Sequence, residues 1–106
     1  MKEINVIKFV SNASEELTKY RSLIETAESY ERVRQLGNRM LGFIDCMITL
    51  SNGMICRENN EITAMLDEVE TEWVVKTYQA AIDRADELGV DTDIIFKLCQ
   101  KRDEYR

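Results

Sequence analysis

Residues 30–58 read YERVRQLGNRMLGFIDCMITLSNGMICRE, and the spacing of their apolar side chains decides the fold. Val33, Leu36, Met40, Ile44, Met47, Ile48, Met54 and Ile55 share one face at 100° per residue, the signature of a helix with a single buried side. That phase survives Ser51-Asn52-Gly53, a tripeptide that would otherwise suggest a turn, so one long helix is expected from about residue 30 to 58. Gly42 and Gly53 fall on its outer side. Gly37 falls on the inner side, where a missing side chain lets a neighbouring helix come close.

Toward the N-terminus the phase changes. Leu17, Tyr20, Ile24 and Ala27 form a stripe nearly opposite to that of residues 33–55, which requires a break near Ser29 and Tyr30. Residues 4–10 are rich in β-branched side chains, but no other segment offers a strand to pair with them, so a short helix is expected there. The polar cluster Ser11-Asn12-Ala13-Ser14 would end it. Asn12 or Ser14 would cap the next helix, with Glu15 and Glu16 in its first turn, where the helix dipole favours acids.

Toward the C-terminus, Glu58-Asn59-Asn60 marks a reversal, and a second long helix is expected from about 61 to 88, stopping at Gly89. Its apolar pattern is split: Ile62, Met65, Leu66, Val69 and Trp73 form one stripe. Val74, Tyr78, Ala81, Ala85 and Leu88, with Val75 and Ile82, form another on a different side. Either a small bundle wraps around this helix, or one half of it packs on a second copy in a homodimer. Asp91-Thr92-Asp93 announces a last helix carrying Ile94, Ile95, Leu98, Cys99 and Tyr105. The expectation is an all-α, single-domain helical bundle over residues 1–106. It is built around a long antiparallel helix pair, about 30–58 and 61–88, with shorter flanking helices.

Composition agrees. The 106 residues include no proline and four glycines, where average usage would give roughly five and seven, as suits long uninterrupted helices. With no histidine, imidazole catalysis and imidazole metal sites are excluded. Cys46, Cys56 and Cys99 show no CxxC spacing, so neither a zinc ribbon nor a disulfide framework is indicated, and a reducing cytoplasm is the expected setting. The N-terminal segment is too short and polar for a signal peptide or a membrane span. No cofactor, metal or membrane association is expected.

Charge carries the functional reading. The net charge is −6, yet residues 58–91 hold ten acids against only Lys76 and Arg84, so the excess is concentrated in one helix. Glu61, Glu68, Glu72, Asp83 and Asp86 fall in one sector of that helix, along a line of about 38 Å at 1.5 Å per residue. Such a stripe repels nucleic acid and attracts basic protein surfaces. The expected function is a small acidic protein–protein interaction module whose partner has a basic surface. In its sharpest form it is an inhibitor that imitates a phosphate backbone in the channel of a nucleic-acid-binding protein, as a phage or mobile element would direct against a defence system. Glu61, Glu68, Glu72, Asp83 and Asp86 would make the contact, with Trp73 as an anchor. The plainer account is a solvated face that maintains solubility.

Two other classes compete. In residues 81–100, Ala85, Leu88, Gly89, Val90, Ile95 and Leu98 stand where helix-turn-helix proteins place their small residue, turn glycine and packing hydrophobes, so the segment resembles that motif. The resemblance implies a DNA-binding regulator using residues 81–106, with Asp91, Thr92, Asp93, Lys97 and Gln100 facing the groove. Asp91 and Asp93 would then approach phosphates first, and no arginine stands near the helix start to read guanine, which argues against direct nucleic-acid binding. The third class is a Mg²⁺-dependent all-α nucleotide pyrophosphohydrolase, which needs carboxylates converging from adjacent helices. Glu25 with Glu28, and Glu58 with Glu61, are the available pairs, and the long helix between them adds only Asp45 on its outer side. The expectation is therefore a binding protein and not an enzyme. Lesser features are Met40, Met47 and Met54 on one face, suited to core packing or to an adaptable groove, and Arg32, Arg34 and Arg39, placed to pair with the acidic helix.

Overall fold

The computed structural model describes residues 2–54 and 60–105, with side chains described for 7–51 and 64–105. Four helices follow one another: α1 (Lys2–Glu25), α2 (Tyr30–Met54), α3 (Asn60–Glu87) and α4 (Thr92–Asp103). There is no strand among the described residues, and the chain is an all-α bundle as its periodicity predicts.

Helix α2 begins where the phase change requires. Ser29 Oγ accepts the backbone N–H of Arg32 at 3.2 Å, and the Ser29 carbonyl accepts that of Val33 at 3.1 Å, so a serine cap satisfies the open first turn. The helix runs through Ser51, Asn52 and Gly53 to Met54. Its expected continuation to residue 58, and the reversal at Glu58-Asn59, lie outside the described residues. Val33, Leu36, Met40, Ile44, Met47 and Ile48 are all buried. Met40 and Met47 are therefore core side chains and line no open groove.

Helix α1 corrects the expected break. It is one continuous helix, and Ser11-Asn12-Ala13-Ser14 lies inside it. Val10 and Ala13 are buried in register with Leu17 and Ile24, and burying that stripe outweighs the low helix propensity of serine and asparagine. Ser14 is no cap: its carbonyl accepts the Thr18 hydroxyl at 2.9 Å, and Ser22 and Thr26 bond back to Thr18 and Ser22 in the same way. Glu15 and Glu16 consequently sit in mid-helix.

Helix α3 packs against each of the other three. That answers the puzzle of its two stripes. Leu66 and Trp73 join the core, as do Val74 and Ala81, while α4 lies along the C-terminal half, where Ile82 and Ala85 are buried. Val74, Ala81, Ile82 and Ala85 of the second stripe are therefore buried within a single copy of the chain. Gly89 ends the arrangement with φ +73°: its N–H reaches the Asp86 carbonyl, and the Val90 N–H reaches that of Ala85, both at 3.1 Å. These are the paired bonds of a Schellman cap.

Two further details differ from expectation. Gly37 is buried, but no atom lies within 4 Å of where its Cβ would stand. It opens a cavity of about 70 Å³ between α2, Thr77, Tyr78 and Ala81 of α3 and Leu98 of α4, instead of permitting close helix contact. Cys99, expected among core positions, is only half-buried, because no side chain of α4 is buried. Among the described residues no helix is long and apolar enough to cross a membrane.

Candidate functional site

The charge of residues 58–91 sits on α3, whose outer side carries Glu68, Glu72, Asp83 and Asp86, all exposed. Glu61 lies in the first turn of the same helix, its side chain outside the described residues. Trp73 is different. At 7% exposure its ring belongs to the core, so it is not available as an anchor for a partner. It was placed at the phase change between the two stripes, and that is the position at which a helix turns an aromatic inward to fill the centre of a bundle.

The acidic line is not continuous. Lys76 Nζ pairs with Glu72 at 2.8 Å and stands 4.7 Å from the centre of the Trp73 ring, which neutralises part of the line's first half. One turn later Gln79 donates to Asp83 Oδ1 at 2.8 Å, and its side-chain carbonyl accepts Arg102 Nη1 of α4, also at 2.8 Å. Arg102 thus ties the C-terminal end of α4 to α3 at a position between two pairs of carboxylates. Glu68 and Glu72 lie on one side, Asp83 and Asp86 on the other, with about 16 Å of helix from Glu72 to Asp83. Tyr78 lies in the same region. Burial holds its phenol above the ordinary value, and the nearby charges of Tyr105 and Glu104 push it the same way.

Both basic residues of the acidic segment are occupied. Lys76 is held as described. Arg84 Nε donates to the Ala27 carbonyl at 2.7 Å, and its Nη1 pairs with Glu87 at 2.9 Å. The first of these bonds spans 57 positions and closes the C-terminal end of α1 against the end of α3. In the sequence Arg84 is legible only as a charge, since nothing local marks a side chain that caps another helix. Arg32, Arg34 and Arg39 are exposed, and among the described residues none forms the expected ion pair with α3. Glu68, Asp83 and Asp86 likewise have no cationic partner among the described residues, so their charge faces solvent.

The competing sites can be placed as well. Asp91, Thr92, Asp93, Lys97 and Gln100 are exposed together at α4, joined to α3 by the Gly89 turn. Asp91 occupies the N-cap position, but its carboxylate makes no capping bond; its carbonyl accepts the N–H groups of Ile94 and Ile95. Phe96 protrudes beside them at 63% exposure. Glu25 and Glu28 are exposed, whereas the side chains of Glu58 and Glu61 lie outside the described residues. Among the described residues no three His, Cys, Asp or Glu side chains converge as a metal site would require.

Comparison with protein families, characterised proteins and solved structures finds no match to this chain.

Proposed function

We propose that this protein is a binding module that presents the acidic outer face of α3 to a basic surface on another protein. It acts by association and not by catalysis, in a reducing cytoplasm. The observation that carries the reading is the uncompensated charge: Glu68, Asp83 and Asp86 point to solvent while Lys76 and Arg84, the only bases of residues 58–91, are engaged within the chain. Carboxylates fixed along a rigid helix form a directional negative field, which steers encounter with basic clefts and disfavours nucleic acid. A cleft built for a phosphate backbone is the partner chemistry that suits such a face best, and occupying it would make the protein an inhibitor of nucleic-acid binding.

The test is capture from host lysate at low and high salt, by the wild type and by two charge-reversed forms, Glu68→Lys/Glu72→Lys and Asp83→Lys/Asp86→Lys. The expected result is a basic protein that is retained by the wild type, released by salt, lost with the variants, and displaced by added nucleic acid. Equal retention by all three forms would show that the carboxylates are merely solvated. Recovery of DNA would move attention to α4.

A further inference from the structure

Helix α4 is attached unlike the other three. It is 12 residues long, none of its side chains is buried, and among the described helices it packs on α3 alone. Its contacts come from half-buried Ile94, Ile95, Leu98 and Cys99, and from one hydrogen bond to α3, Arg102 to Gln79. Beneath Leu98 the packing is incomplete, because the cavity beside Gly37 lies there. By contrast, α1, α2 and α3 each contribute fully buried side chains to a shared core: Leu17 and Ile24, Met40 and Ile44, Leu66. A segment with few buried contacts, joined through a glycine turn, opens at lower free energy than the core it rests on.

The position of α4 gives that opening a consequence. It lies against α3, where its Leu98 lines one cavity with Tyr78 and Ala81, and it carries three bases, Lys97, Lys101 and Arg102, with two acids, Asp93 and Asp103. Arg102 reaches the acidic face itself through Gln79, whose other bond is to Asp83. We propose that α4 is a detachable element: it comes away as one unit while α1–α3 stay folded, uncovering the face of α3 around Tyr78 and Ala81. Once undocked, a helix this short does not persist in water, so detachment is local unfolding of residues 92–103. The proposal does not rest on the acidic-face reading.

Native-state hydrogen exchange of the full chain over a series of low urea concentrations tests it, in wild type and Leu98→Ala. The expected result is that amides of α4 exchange through an opening less protected, and less dependent on urea, than the central amides of α2 and α3. Leu98→Ala then accelerates exchange in α4 by about tenfold and leaves α1–α3 unchanged. If α4 shares the protection and urea dependence of α2 and α3, or if Leu98→Ala accelerates all four helices alike, the bundle opens only as a whole and the proposal fails. No partner is present in this experiment. Its failure is therefore distinct from that of the acidic-face reading, which charge reversal tests.

Discussion

At Ser51 and Gly37 the packing of α2 is less than complete, and each position makes its own prediction. Ser51 Oγ is buried without a hydrogen-bond partner among the described residues, although serine in a helix ordinarily bonds back to a carbonyl. An unpaired buried hydroxyl keeps its desolvation cost, so Ser51→Ala should raise stability by about 1 kcal/mol. Gly37→Ala should raise it by a similar amount: alanine is favoured over glycine in a helix interior by about 1 kcal/mol, and the added methyl meets open space. Urea denaturation of the two variants checks both, and a lowered midpoint in either would show that its site is filled or paired. Gly37 was legible as an inward-facing position. Whether its missing side chain meant contact or void was not, because the answer depends on where Tyr78 and Leu98 stand across the groove.

Among the elements, α1 shows what outweighs local preference. The serine and asparagine cluster at 11–14 has the composition of a helix end, but Val10 and Ala13 continue the buried stripe through it. Here the apolar period, and not the local propensity, determines the helix. The opposite holds at the end of α3, where local chemistry and outcome agree: Gly89 adopts the left-handed conformation that a side chain disfavours. The junction of α1 with α3 depends on Arg84, whose bond to the Ala27 carbonyl is, among the described residues, the one side-chain hydrogen bond that joins the ends of those helices. Arg84→Ala should cost about 1.5–3 kcal/mol, the range for a hydrogen bond to a charged group. Arg84→Met, which keeps the stem without the guanidinium, should recover little of that loss; recovery of wild-type stability in thermal melts would assign the effect to packing instead.

For the whole molecule, shape and composition set the folding behaviour. The Cα positions extend 48 × 24 × 14 Å, an elongated slab in which successive helices are neighbours: α1 on α2, α2 on α3, α3 on α4. Helical folds of such local connectivity fold quickly, in roughly microseconds to milliseconds. The chain has no proline, so no slow isomerisation phase of tens of seconds should follow. Trp73, the only tryptophan and buried, reports on both points in stopped-flow refolding. A slow phase of substantial amplitude would point to association or a trapped intermediate.

The recurrence of apolar residues every three or four positions, with the local chemistry of glycine and the acids, is sufficient to place α2, α3 and α4, their inward faces, the break near Ser29, the stop at Gly89 and the concentration of acids on α3. Each of these depends on residues within a turn or two of one another, where covalent geometry dictates the spatial relation. The burial of the second stripe within the chain, the bonds of Arg102 to Gln79 and of Arg84 to Ala27, the burial of Trp73 and the interruption of the acidic line are decided in the tertiary structure. They depend on where rigid helices meet in space. The pattern along a single helix records which side must be covered, but not which neighbour covers it.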